Sequence, residues 1–332
     1  MLIDSATRPL HSASTGFEHD AFIYADDEEF VRRSVSFVRA GIDSGEVVLV
    51  AVPKPQIALL RKELGERAGH VGFVDMAEVG RNPARILSLW RDLLDENPGR
   101  GVRALSELVY VGRTPAEIQE AMLHEALVNV AFEQAGPFRL RCPFAAGVLS
   151  PEFSVAENHP VLLPASGSAP NSEAVAGFES VEQSPAGQSW AAVVEKGFST
   201  PLPAVPQDAE RREFGLDDLT NLRGWAAERA RLYGLPGNRR DDLALALHEV
   251  CKNSIRFGGG RGTLTLWREG GSLICDVSDN GHITDLLVGR VVPSVSGEGG
   301  RGVWLTNQLC DLVQIRSTPR STQVRLHTTL QT

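Results

Sequence analysis

Apolar positions in the first half of the chain alternate between short runs and longer stripes: His19 to Tyr24, 28–42, Val47 to Val52, 55–69, Val71 to Val74, 82–95, Val102 to Val109, 115–134 and Phe138 to Cys142. Short continuous or every-second-residue apolar runs fit strands, and three-to-four spacing fits amphipathic helices. Their alternation predicts an α/β layer fold with a largely parallel sheet. The second half is ordered differently. Helical patterns at 216–233 and 241–257 precede strands at 262–269 and 272–279, a glycine-rich loop, a helix at 301–311 and strands at 312–317 and 322–328. Helices followed by an antiparallel run predict an α+β two-layer unit. Asp241 or Asp242 is placed to cap the second of its helices.

Between the halves, 25 of the 43 residues from Pro164 to Pro206 are Ala, Gly, Pro or Ser, and no apolar period survives. That composition predicts a flexible linker. Trp190, Val193, Val194 and Phe198 interrupt it and are able to dock as a short segment on either neighbour. The expected division is therefore 17–163, a linker at 164–206, and 207–332. A chain of 332 residues fits two domains.

Charge sharpens this division. The net charge of −9 argues against general nucleic-acid binding, which rests on neutralising phosphates. Residues 1–206 carry 17 Lys and Arg against 27 Asp and Glu, whereas 207–332 carry 16 against 15, so an anionic ligand is better accommodated in the second part. The longest apolar run is far short of the roughly 20 residues of a membrane-spanning helix. The N-terminus lacks a basic start followed by an apolar core, and a cytoplasmic protein is expected. Four separated cysteines, Cys142, Cys251, Cys275 and Cys310, fit buried thiols better than a disulfide framework or a paired zinc motif.

Three elements of the second half carry chemistry. Glu249 and Asn253 stand four apart on a helix, so their polar tips share a side, while Leu243, Leu247, Val250 and Ser254 form its buried stripe. The strand Leu273 to Val277 then runs into Ser278-Asp279-Asn280-Gly281, which puts a carboxylate at a strand end before a glycine that frees the turn. Such a carboxylate can accept a hydrogen bond from an exocyclic amine. Finally, Gly297-Glu298-Gly299-Gly300-Arg301-Gly302 leads directly into a helix, where backbone N–H groups and the helix dipole favour phosphate. Positions 297, 299 and 302 also fit the dinucleotide pattern G-x-G-x-x-G, but the glycines follow a loop containing Pro293 instead of a strand, and no acidic residue lies about 20 positions on. No Lys-Ser/Thr follows them as in a Walker loop.

In this order, the three elements resemble the N, G1 and G2 boxes of the GHKL ATPase superfamily. Residues 212–329 are most similar to its anti-sigma regulatory factors, a serine-protein-kinase branch. Leu222-Arg223, Asp279-Asn280-Gly281 and the run from Gly300 to Asp311 support this, whereas Phe257 and Ser321-Thr322 depart from the usual His and Gly-Thr. The resemblance implies a Bergerat ATP-binding fold with ATP and Mg²⁺ as cofactors. Asn253 would be the metal ligand and Asp279, Gly281 and Thr322 the adenine end. Gly299, Gly300, Arg301 and Gly302 would serve the phosphates, 282–298 the mobile lid, and Glu249 the general base for an incoming serine. It implies phosphorylation of an anti-anti-sigma protein of the STAS type and control of a sigma factor. The alternative is a non-catalytic, ATP-dependent binder that sequesters either partner. Family members often dimerise through this domain, so a homodimer is compatible, with Arg223 and the first helix as contact candidates.

His124-Glu125 and His248-Glu249 resemble the phosphoacceptor pair of histidine kinases, but neither is followed by Arg-x-Pro. Glu125 and Asn129 repeat the spacing of Glu249 and Asn253 without a glycine cradle, and are read as a helix face. Residues 17–163 resemble the MEDS sensory domain, through His19 to Tyr24, Ala40 to Glu46, Ser106-Glu107, Glu125 to Asn129, Arg141 to Phe144 and His159-Pro160. This resemblance implies a RecA-like α/β module that senses an unidentified ligand, with His19 and Tyr24 lining its pocket. Ala21 stands where the family commonly has Cys. Neither half implies direct contact with nucleic acid or membrane.

Overall fold

The computed structural model describes residues 16–150, 153–164, 182–183, 189–293 and 300–330. Its first part is an α/β unit of β1 (Phe17–Tyr24), α1 (Asp27–Asp43), β2 (Val47–Val52), α2 (Lys54–Leu64), β3 (Val71–Asp75), α3 (Met76–Val79), α4 (Ile86–Asp95), β4 (Val102–Ser106), α5 (Pro115–Phe132), β5 (Phe138–Ala145), β6 (Val161–Leu162) and β7 (Glu182–Gln183). The strands form one sheet in the order β3-β2-β4-β5-β1-β6-β7. Every pairing is parallel except that of β6 with β7. Helices cover both faces, so the central strands are buried on both sides. Val48 to Val52 are accordingly all buried and read as a continuous apolar run. Phe22, Tyr24, Phe30 and Leu60 fill the layer under α1 and α2, and Trp90, Leu127 and Phe138 fill the opposite one.

Helix α5 starts with a complete capping box. Thr114 Oγ1 accepts from the Glu117 N–H, the Glu117 carboxylate accepts from the Thr114 N–H at 2.7 Å, and Pro115 occupies the first turn. This capping box satisfies two otherwise orphaned donors. The helix is apolar on nearly every face and is buried along most of its length, as expected for an element enclosed on all sides. The sheet lies on one side. On the other lies α6 (Trp190–Ser199), which packs between α5 and the second sheet. Gly197 allows that approach, because a Cβ there would fall 2.7 Å from Leu123 Cδ1. The docking expected for Val194 and Phe198 is thus made to both neighbours at once, and both side chains are buried.

The second part contains β8 (Glu210–Gly215), α7 (Leu219–Leu232), α8 (Gly237–Phe257), β9 (Arg261–Glu269), β10 (Ser272–Asp279), α9 (Arg301–Leu309), β11 (Leu312–Thr318) and β12 (Ser321–Thr329). Its antiparallel sheet runs β11-β12-β10-β9-β8, with helices packed on it, as the α+β expectation required. Two expectations need correction. Strand β8 is an addition to the predicted elements: on the charged edge Glu-Arg-Arg-Glu-Phe-Gly only Phe214 is buried, and an edge strand of this kind shows no alternation. Helix α8 starts at Gly237 behind Pro236, so Asp241 and Asp242 lie in its second turn and do not cap it. Proline fixes φ near the helical entry value, and the weak helix formers Gly237 and Asn238 hide the start.

One apolar core runs through both parts, and a polar seam reinforces the junction. Arg85 donates to the carbonyls of Asn307, Gln308 and Cys310 at 2.8 Å each, satisfying the open C-terminal end of α9. Asn82 Nδ2 donates to Asn307, and Arg81 pairs with Asp311 at 3.0 Å. Glu120 of α5 pairs with Arg316 of β11 at 2.7 Å and lies 3.9 Å from Arg290; all three are at most 5% exposed.

Candidate functional site

Helix α8 presents Glu249 and Asn253, both half-buried, toward the first turn of α9. Their side chains make no hydrogen bond or ion pair among the described residues. The approach is close because residue 302 is glycine: a Cβ there would lie 2.7 Å from Glu249 Oε2 and 3.5 Å from Asn253 Nδ2. Helix α9 opens at Gly300, whose φ of +84° is a conformation that glycine adopts at little cost, and no side chain among the described residues caps the helix. The N–H groups of Gly302 and Val303 lie in its first turn, where the helix start favours an anion. Arg301 is exposed beside them. Gly299 lies outside the described residues, as do positions 294–298 of the expected lid.

The other end of the site is built around Asp279, the last residue of β10. The Ser254 hydroxyl donates to Asp279 Oδ2 at 2.6 Å, and the Gly281 N–H donates to Oδ1 at 2.7 Å. A side chain at Gly258 would meet the Asp279 carboxyl at 2.4 Å, and one at Gly281 would meet the Phe257 carbonyl at 2.8 Å. Both glycines are therefore packed against the carboxylate, and Thr322 closes the arrangement. It is the cross-strand partner of Asp279, donates to the Gly281 carbonyl at 3.0 Å, and shares a 2.9 Å hydrogen bond with Ser317. A groove of about 640 Å³ opens beside Asp279, lined by Thr263, Ser278, Asn280 and Ser321 among others. Ser254, the adjacent residue to Asn253, thus links the two ends.

Sequence reasoning puts Ser254 on the apolar stripe and does not assign it to the site; the visible signal is a hydroxyl among apolar positions. Gly258 and Ser317 also escape it. The expected lid needs correction where it is described. Ile283 donates its N–H to Ser317 Oγ at 2.9 Å, Gly289 packs against Val303, its carbonyl accepts from Asn307 at 2.9 Å, and Arg290 is buried. The apolar run Leu286-Leu287-Val288 supplies the reason: it packs against the core.

The first part has its own buried polar cluster. His19 of β1, Glu125 of α5, Cys142 of β5 and His159 are all at most 3% exposed. Glu125 Oε2 lies 3.4 Å from His19 Nε2 and 3.3 Å from His159 Nε2, and the Cys142 thiol donates to it at 3.2 Å. Burial opposes ionisation of Glu125, but contact with the imidazoles of His159 and His19 holds its carboxyl well below the usual carboxylate range. Burial, together with the neighbouring His159, holds His19 below its ordinary value, and burial pushes the Cys142 thiol well up.

Tyr24 does not join this cluster, contrary to expectation. Residues five apart on a strand face opposite sides, so His19 and Tyr24 point into different layers. Tyr24 Oη instead donates to Glu107 at 2.5 Å. Burial raises Tyr24 and pushes Glu107 up to about 8. Arg223 lies exposed on α7, and all four cysteines are buried and free, as expected. Among the described residues no helix is long and apolar enough to cross a membrane.

Residues 18–160 match the MEDS family, described as the MEthanogen/methylotroph, DcmR Sensory domain, and residues 213–328 match the histidine kinase-like ATPase domain. A comparison with curated proteins found no match. Among solved structures, the RsbU and RsbW domains of Rv1364c from Mycobacterium tuberculosis match at 15% identity and a TM-score of 0.27, over 36% of this chain and 32% of that one. The histidine kinase AdeS of Acinetobacter baumannii matches at 11% identity and a TM-score of 0.24, over 37% of this chain and 68% of that one. The chain thus spans about a third of the length of the first of these structures. From N- to C-terminus, the protein joins a MEDS sensory domain to a histidine kinase-like ATPase domain.

Proposed function

We propose that the C-terminal domain binds Mg-ATP and phosphorylates a serine of an anti-anti-sigma protein of the STAS type, thereby controlling a sigma factor in response to a signal received by the MEDS domain. The observation that carries this reading is the pairing of Glu249 and Asn253 against Gly302, with Asp279 tied to the same helix through Ser254.

The residues fit the nucleotide. Asp279 keeps acceptor capacity for the adenine amine beyond the two hydrogen bonds that orient it. The start of α9, with Gly300 and Gly302, offers backbone donors to phosphate, and Gly299 belongs to the same glycine run. The Asn253 amide oxygen suits Mg²⁺, which when bound neutralises charge on the transferring phosphoryl group. Glu249 holds the serine hydroxyl for attack and takes its proton. The serine oxygen forms the new bond to the γ-phosphorus, the bond to the bridging oxygen breaks, and ADP departs. Positioning and charge neutralisation supply most of the catalysis in such transfers.

Regulation would pass through the shared core. Glu120, on the same helix as Glu125, pairs with Arg316 and faces Arg290 near the end of the described lid segment, while Arg85, in a turn packed on α5, holds the far end of α9. Movement of α5 would therefore be felt at both sides of the nucleotide site.

The test incubates the full chain and Glu249→Gln with radiolabelled ATP and a panel of STAS-type proteins from the same genome. Transfer to serine by the wild type and its loss in the variant, with ATP binding retained, supports the kinase reading. ATP binding without transfer to any candidate overturns it in favour of sequestration.

A further inference from the structure

The buried cluster in the MEDS domain has the composition and spacing of a metal centre. Its four donor atoms, His19 Nε2, Glu125 Oε2, Cys142 Sγ and His159 Nε2, all lie within 4.8 Å of one another. The separations are 3.2 Å from sulfur to carboxylate, 3.4 Å from His19 to sulfur, 3.4 Å from His19 to carboxylate and 3.3 Å from His159 to carboxylate. Zinc bonds of 2.0–2.3 Å to nitrogen, oxygen and sulfur imply tetrahedral edges of about 3.3–3.7 Å. The side chains therefore stand close to the positions they would take around such an ion.

A second observation concerns the outer hydrogen bonds. His159 Nδ1 lies 2.9 Å from the Val155 carbonyl, which can only accept, so that nitrogen carries the proton. His19 Nδ1 lies 2.9 Å from Asn129 Oδ1. The Asn129 amide nitrogen is already donating to the Glu125 and Asn158 carbonyls, which leaves its oxygen as acceptor for His19. With Nδ1 donating outward on each ring, both Nε2 atoms are left facing the Glu125 carboxylate. Two ring nitrogens, a carboxylate and a sulfur converge inside a site with almost no solvent exposure, which is the donor set and enclosure of a metal centre. Outer partners of this kind, a carbonyl on one ring and an amide oxygen on the other, are how proteins orient metal-ligating histidines.

We propose that His19, Glu125, Cys142 and His159 bind a single divalent transition-metal ion, zinc by donor set. Four protein ligands close the coordination sphere, so the ion organises the domain and does not bind a reacting water. Three ligands come from β1, α5 and β5, and the fourth from the irregular segment before β6. Binding pins that segment to the sheet. The ion displaces the thiol proton of Cys142 to solvent, which makes affinity rise with pH. The site is independent of whether the C-terminal domain transfers phosphate.

The test uses the full chain purified under reducing conditions, stripped with a chelator and titrated with Zn²⁺ and with Co²⁺. One equivalent is expected to bind, with X-ray absorption at zinc showing one sulfur and three nitrogen or oxygen neighbours. The cobalt form should show intense tetrahedral absorption and a thiolate charge-transfer band that disappears in Cys142→Ser. Asn129→Ala, which leaves all four donors in place, should weaken binding about 10–100-fold. A folded wild-type chain that binds neither ion stoichiometrically, or a zinc shell without sulfur, overturns the proposal. Both decisive readouts are made on the wild type, so a variant that fails to fold leaves them intact.

Discussion

Helices α5 and α8 carry the same four-residue pattern, Glu125 with Asn129 and Glu249 with Asn253, in opposite surroundings. On α8 the pair is half-buried, makes no side-chain hydrogen bond among the described residues, and faces a glycine whose missing side chain leaves room at a helix start. On α5 the pair is enclosed by the sheet, with Glu125 against two histidines and a thiol and Asn129 bonded to His19 and to two carbonyls. Spacing brings two polar groups to one side of a helix. What they can do is decided by what the rest of the fold places opposite them. An open, underused pair suits a substrate that comes and goes, and a fully engaged pair suits a fixed occupant.

Parallel substitutions should therefore give unlike effects. Glu249→Gln is expected to lower phosphotransfer by about 10²–10⁴-fold, the range typical for loss of a general base, with ATP affinity nearly unchanged. Single-turnover assays alongside nucleotide titrations check this, and equal loss of binding and transfer would assign Glu249 to binding instead. Glu120→Ala, at the seam between the domains, leaves Arg316 and Arg290 buried without their carboxylate. It should cost about 3–5 kcal/mol of stability, read by urea denaturation. A loss below about 1 kcal/mol would mean that solvent reaches the seam.

A smaller effect is expected at Glu107. Burial holds its folded-state pKa at about 8, above the ordinary carboxyl value of 4.5, so the native state holds the proton more tightly than the unfolded chain. Stability from this group is present below pH 4.5 and is lost as pH rises toward 8. Glu107→Gln should flatten that part of the pH dependence by up to a few kcal/mol, since each pH unit between the two values is worth about 1.4 kcal/mol. An unchanged difference between pH 5 and pH 8.5 would show that the carboxyl is not protonated in the fold. Smaller still, Gly302→Ala should slow phosphotransfer several-fold, since its methyl displaces the movable tip of Glu249 and no backbone atom. A rate equal to wild type would mean that Glu249 has slack.

Most of the proposed ATP site is legible in the sequence because each part is local: a helix pair, a strand ending in Asp279 before a glycine, and glycines before a helix. Ser254 and Gly258 escape because their roles depend on the end of α8 meeting the end of β10, which are distant in sequence. The cluster at Glu125 is hidden for the same reason more strongly. Its four donors come from positions separated by up to 140 residues, and local reading of Glu125 and Asn129 yields only a helix face. His19 and Tyr24 are joined by proximity in sequence, which strand alternation overrules. The α/β and α+β layers are legible from periodicity, whereas the charged edge strand β8 has no period to read.

Mg-ATP binding to the full chain, measured by calorimetry beside Asp279→Asn, tests the central claim that the C-terminal site holds the nucleotide. Asparagine offers one oxygen where Ser254 and Gly281 together engage two, so the acceptor left for the adenine amine is lost. One saturable site is predicted in the wild type, with affinity about 10–100-fold weaker in the variant, the worth of a hydrogen bond to a charged group. A folded wild-type chain that takes up no Mg-ATP, or a variant that binds it equally well, would contradict the assignment.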